Sequence, residues 1–124
     1  MIEDLHILAV GSAPLHSIVR DALRILPHCR LSVADGLRHL WLAPRGDVAD
    51  VVILDSTLSP LDLEDAGRLI RHQWPAAGIL ILRSDLELLD DALYDEHMPP
   101  AATPAALLGA IQRLTGRCRK GGLG

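Results

Sequence analysis

The chain has 124 residues, of which 49% are apolar and 23% charged, with a formal net charge of −4. That length suits one domain around a single core, and that apolar share excludes a disordered chain. The acidic balance, with Trp41, Trp74 and Tyr94 as the only aromatics, argues against a nucleic-acid surface, which needs positive excess and stacking rings.

Short β-type runs alternate with amphipathic segments. Leu5–Val10 reads as a first strand. It runs into Gly11-Ser12-Ala13-Pro14, a turn in which Ser12 is a good N-cap and Pro14 is tolerated in a first helical turn. Leu15, Ile18, Val19, Ala22, Leu23 and Leu26 then fall on one helical face, and Pro27 stops the helix. Arg30–Ala34 alternates like an outer strand. Asp35 is placed to cap a short helix carrying Leu37, Leu40 and Trp41, which Pro44 ends.

Val51–Leu54 is a continuous apolar run, the signature of a central parallel strand buried on both faces. Asp55 follows it. Ser59 and Pro60 open a third helix, with Asp62, Glu64 and Asp65 in its first turns, that buries Leu63, Ala66, Leu69 or Ile70, and Trp74. Ile79–Leu82 is a second central strand, and Ser84 caps a fourth helix through Leu86, Leu89 and Leu93. A fifth strand at Glu96-His97-Met98-Pro99-Pro100 is weak, because proline cannot donate ladder bonds. The last helix starts at Thr103-Pro104, carries Leu107, Leu108, Ile111 and Leu114, and is expected to end at Gly116. This divides the chain into a domain over 1–116 and a flexible tail or linker stub over 117–124. The βα alternation implies a parallel sheet with helices on both faces. Five units suggest the strand order 2-1-3-4-5, with a functional crevice lined by Gly11, Ser12 and Asp55, where strands 1 and 3 end.

Cys29 and Cys118 stand far apart without CxxC spacing, which points to neither a zinc site nor a disulfide framework. Glu3 and Asp4 precede the first apolar run, the wrong pattern for a signal peptide, and no apolar stretch has membrane-spanning length. A reducing cytoplasm is the expected compartment. The six histidines His6, His16, His28, His39, His72 and His97 show no metal-ligand spacing. Nothing resembles the GxSxG elbow that a Ser-His-Asp hydrolase of α/β type would need.

Residues 5–115 resemble a bacterial response-regulator receiver domain. The likeness is carried by Ala49-Asp50-Val51-Val52-Ile53-Leu54-Asp55, by the ungapped stretch from Asp55 to Trp74-Pro75, and by Thr103-Pro104-Ala105-Ala106-Leu107-Leu108. The resemblance implies a flavodoxin-like (CheY-like) α/β three-layer sandwich, here with a weak fifth strand and a shortened fourth helix. It also implies a phosphoacceptor at Asp55, served by Mg²⁺ on two acids at the end of the first strand. His6 takes the place of the basic residue common in that strand.

The departures are specific. Gly11 and Ser12 replace the adjacent acids. Arg83 aligns with the threonine or serine that ends the fourth strand, with Ser84 one position on. In place of the lysine that pairs with the phosphoryl oxygens in the family stands Pro100, and in place of its aromatic switch residue stands His97. The only lysine in the chain is Lys120. Phosphoryl transfer needs its spreading negative charge neutralised, and these positions supply neither a second carboxylate for a metal nor a lysine.

The chain therefore resembles a pseudo-receiver: a non-enzymatic signalling module with no cofactor and no metal, and with Asp55 as a vestigial phosphoacceptor. It is expected to act on a protein partner or an appended effector domain, or as a homodimer, and to bind neither nucleic acid nor membrane. Gln112 and Arg113, off the apolar stripe of the last helix, are the candidate interaction face. Two alternatives stand beside this reading. One is a receiver still phosphorylated on Asp55; the other is a small α/β domain that binds an anion or metabolite at Gly11-Ser12.

Overall fold

The computed structural model describes residues 5–24, 29–36, 48–83, 94–99 and 103–123, with the backbone alone over 116–123. Five strands form one sheet: β1 (Leu5–Val10), β2 (Cys29–Ala34), β3 (Val51–Leu54), β4 (Gly78–Leu82) and β5 (Glu96–Met98). All neighbours are parallel, and the order is β2-β1-β3-β4-β5. Three helices are described: α1 (Ala13–Leu23), α2 (Pro60–Gln73) and α3 (Pro104–Leu123). This is the flavodoxin-like arrangement expected from the βα alternation.

The period-2 pattern of the strands builds two cores. Leu8, Val10, Val52, Leu54, Ile79 and Ile81 face α2, which contributes Leu63, Ala66, Leu69 and Ile70, with Trp74 just beyond it. Ile7, Ala9, Val51, Ile53, Leu80 and Leu82 face the other way. There they meet Leu15, Val19, Ala22 and Leu23 of α1, and Leu107, Ala110, Ile111 and Leu114 of α3. β3 and β4 are buried along their whole length, which is why their sequences are apolar without alternation.

Caps follow the sequence at two helices. The amide of Asp62 donates to Ser59 Oγ at 3.1 Å, and the amide of Ala106 donates to Thr103 Oγ1 at 3.2 Å. The end of α3 departs from expectation. The helix continues past Gly116 to Leu123. Gly116 by itself lowers helix propensity by only ~1 kcal/mol, no proline follows it, and Arg117, Arg119 and Lys120 are cations of the kind that suit the end of a helix; Gly121 and Gly122 come only in its last turn.

The weak fifth strand is present as three residues held by a side chain. The amide of Ile79 donates to Asp95 Oδ2 at 2.7 Å, and the amide of Asp95 returns a bond to the Ile79 carbonyl at 2.9 Å. Arg71 Nη2 pairs with Asp95 Oδ1 at 3.2 Å. Asp95 thus starts the β4–β5 ladder that the sequence of β5 promotes poorly. The expected short helix carrying Leu37, Leu40 and Trp41 and the fourth helix from Ser84 lie outside the described residues.

Candidate functional site

β1 and β3 run side by side, so their C-terminal ends place Gly11 and Asp55 in contact. The amide of Asp55 donates to the Val10 carbonyl at 3.0 Å, continuing the ladder one step. Gly11 has φ +150°, which side-chain-bearing residues rarely adopt. A Cβ built there would lie 2.2 Å from Asp55 Cβ and 2.8 Å from its Oδ2. The turn after β1 therefore closes directly over the aspartate.

The Asp55 side chain is buried in this turn, with the residue only 7% exposed, and its carboxylate is hydrogen-bonded on both oxygens. Oδ2 accepts from the Ser12 hydroxyl at 2.6 Å, the Ser12 amide at 3.0 Å and the Thr57 hydroxyl at 3.3 Å. Oδ1 accepts from the Ser56 amide at 2.6 Å and the Ser56 hydroxyl at 3.3 Å. Burial alone would raise its pKa. The Ser12 hydroxyl and amide, with the amide and hydroxyl of Ser56, favour the charged form and together hold the pKa below its ordinary value of 3.8. The carboxylate is ionised at neutral pH.

Ser12 is the N-cap residue of α1, with extended backbone angles, yet its side chain makes no capping bond to that helix. Its hydroxyl is turned to Asp55 instead. Pro14 removes one of the amides at the helix start that a capping side chain would otherwise serve.

The other residues singled out by sequence are spread around this centre. Arg83, just past β4, donates from Nη1 to the Leu58 carbonyl at 3.0 Å. It thereby braces the loop after Asp55 from a third strand end. His97 is exposed on β5, edge-on to Tyr94 with ring centroids 5.9 Å apart. Gln112 and Arg113 are exposed on α3 as expected. Arg113, however, is engaged within the chain: Nε and Nη2 both donate to Glu96 Oε1, at 3.0 and 2.8 Å. Ser84 and Pro100 lie outside the described residues.

Sequence reasoning did not single out Ser56, Thr57 or Leu58. The first two supply three of the five donors to Asp55, and Leu58 accepts from Arg83. The only available signal was two hydroxyl residues directly after the aspartate, a common turn composition. His6 is buried at 6% exposure, away from Asp55. Its Nδ1 lies 3.2 Å from the Val48 carbonyl and its Nε2 lies 2.8 Å from Ser32 Oγ. A carbonyl can only accept, so Nδ1 carries a proton. Among the described residues, no group of three or more His, Cys, Asp or Glu is placed to hold a metal ion, and no helix is long and apolar enough to cross a membrane.

No protein-family model matches the sequence, and no curated protein matches it. Solved structures do. The signal receiver domain of an HD domain-containing protein from Pseudomonas fluorescens superposes with a TM-score of 0.81 at 17% identity, over 97% of this chain and 93% of that one. The chemotaxis response regulator CheY4 of Vibrio cholerae gives 0.75 at 19% identity, over 90% and 98%. The receiver domain of a sensor histidine kinase from Pseudomonas aeruginosa, solved with magnesium in its active-site cleft, gives 0.74 at 22%, over 91% and 98%. The chain has the receiver fold.

Proposed function

We propose that this chain is a receiver-type signalling module that works through protein contacts, without Mg²⁺-dependent phosphorylation of Asp55. The observation that carries the reading is the state of the Asp55 carboxylate. Five donors converge on its two oxygens. A divalent cation would meet the positive ends of those dipoles where it needs lone pairs.

The residues at the end of β1 do not fit Mg²⁺ either. That ion takes an octahedral set of oxygens, with carboxylates as its protein ligands. Ser12 offers only a hydroxyl, already committed to Asp55 at 2.6 Å. An acid in place of Gly11 would collide with Asp55 itself. Arg83, just past β4, could be asked to stand in for the lysine, but its guanidinium is engaged with the Leu58 carbonyl. As a planar fork it is no substitute for an ammonium point charge.

A module of this kind transmits by its surface. The exposed face of α3 at Gln112, beside β5, is the surface we assign to a partner protein, an appended effector domain or a second copy. The receiver domain from Pseudomonas fluorescens belongs to a protein that also carries an HD domain, which supports the appended-domain form.

The test compares two variants below their melting temperatures. Gln112→Glu should weaken self-association by centrifugation, or pull-down of a native partner, while Asp55→Asn should bind like wild type. Gln112 is a cleaner probe than Arg113, because charge reversal at Arg113 also sets it against Glu96. Loss of binding in Asp55→Asn with binding retained in Gln112→Glu would place the working site in the crevice and overturn the reading.

A further inference from the structure

Asp55 is ionised, mostly buried and fully hydrogen-bonded, and the function proposed above leaves it no chemical task. We infer that the Asp55 carboxylate is an internal clamp that joins the β1–α1 turn to the β3–α2 turn, with Ser12 as the positioning residue that turned a phosphoacceptor position into a structural one.

Three observations meet at this group. The first is the direction of the Ser12 side chain. An N-cap serine ordinarily accepts from an amide two or three residues into its own helix. Ser12 makes no such bond and donates to Asp55 Oδ2 at 2.6 Å, with its own amide on the same oxygen at 3.0 Å. The start of α1 is therefore served by a carboxylate from another strand, and negative charge at a helix N-terminus is favourable.

The second is the opposite oxygen. Oδ1 is bound by the Ser56 amide at 2.6 Å, which fixes the first residue of the loop leading to α2. One side chain thus spans two crossover connections lying on opposite faces of the sheet. The third is Gly11. Its φ of +150° and the virtual Cβ contact of 2.2 Å to Asp55 Cβ leave no room for any side chain between the two strand ends. The close approach that forms the clamp is built into the backbone. Arg83 extends it to the end of β4 through the Leu58 carbonyl at 3.0 Å.

The clamp sets the C-terminal edge of the sheet in one conformation without an external signal. The inference rests on the reading of Asp55 as a group not turned over by phosphoryl transfer, and the experiment separates the two. Measure urea-unfolding midpoints and amide hydrogen exchange for wild type, Ser12→Ala, Ser12→Thr, Asp55→Ala and the Ser12→Ala/Asp55→Ala double variant. In the same samples, record intact mass after incubation with acetyl phosphate and Mg²⁺.

The clamp predicts that Ser12→Ala and Asp55→Ala each lower the midpoint and that the double variant is no less stable than Asp55→Ala alone. Ser12→Thr, which keeps the hydroxyl, should restore the midpoint. The Ser56 amide should exchange at least tenfold faster in Asp55→Ala than in wild type. Additive losses, or Ser56 exchange unchanged by Asp55→Ala, would overturn the clamp. Should Asp55→Ala fail to fold, slower exchange of the Ser12 amide in wild type and Ser12→Thr than in Ser12→Ala is still required, and its absence overturns the inference. A phosphoryl adduct on the wild type together with a coupled cycle would leave the clamp standing as the resting state and sink the functional reading alone.

Discussion

Placing a methyl group on Gly11 should cost the domain several kcal/mol. Two effects add. The backbone sits at φ +150°, and a virtual Cβ lies 2.2 Å from Asp55 Cβ, well short of the 3.4 Å at which ordinary contact begins. The obstructing atom is a Cβ, fixed to the backbone directly after a fully buried strand, so it cannot swing aside as a side-chain tip would. Holding a non-glycine residue in a sparsely populated backbone region costs ~1–3 kcal/mol, and overpacking a tight site costs another ~1–3 kcal/mol. Gly11→Ala should therefore lose about 2–6 kcal/mol against a total stability of roughly 5–15 kcal/mol. At about 4 °C per kcal/mol for a domain of this size, the melting temperature should fall by roughly 8–24 °C.

Urea unfolding followed by tryptophan fluorescence reads this directly, since Trp74 is buried at 4% exposure beside α2. A companion variant isolates the collision. Asp55→Gly removes the obstructing Cβ, so Gly11→Ala with Asp55→Gly should be more stable than the sum of the single losses predicts, by about 0.5–3 kcal/mol. Gly11→Ala within about 0.5 kcal/mol of wild type, the range of an ordinary surface change, would refute the close packing of Gly11 on Asp55.

Two further outcomes follow from the same geometry. Because the folded Asp55 carboxyl titrates below its ordinary value of 3.8, its stabilisation is fully present above about pH 4 and is lost as pH falls through the folded value. Urea midpoints of wild type should decline over that acid window, and Asp55→Asn, lower at pH 7, should lack this part of the decline. Asp95→Ala removes the acceptor for the Ile79 amide and the partner of Arg71. It should speed exchange of the β5 amides while leaving those of β1 and β3 protected.

The apolar strands were plain in the sequence, because Val51–Leu54 and Gly78–Leu82 are buried on both faces and admit nothing polar. The helical stripes were equally legible, since a 3.6-residue period names its own buried side. β5 was legible only as a weak strand, because its start is held by the Asp95 carboxylate rather than by the propensity of its own residues. The end of α3 was not legible, because the glycine at 116 reads as a stop but is tolerated within the helix. At the site, the grouping of Gly11 and Ser12 with Asp55 was legible from the strand order, which sets the ends of strands 1 and 3 side by side. The direction of the Ser12 hydroxyl was not, because an N-cap serine that points away from its own helix has the same sequence as one that does not. The 2.2 Å approach at Gly11 and the engagement of Arg113 by Glu96 are likewise long-range facts, set by how the strands and α3 dock.

On the proposed function, the Asp55 carboxylate is committed to its own hydrogen bonds and takes up no phosphoryl group. Intact mass of the wild-type protein after incubation with acetyl phosphate and Mg²⁺, with Asp55→Asn alongside, tests it most directly. Both proteins should keep an unchanged mass. A phosphoryl adduct on the wild type that is missing from Asp55→Asn would contradict it.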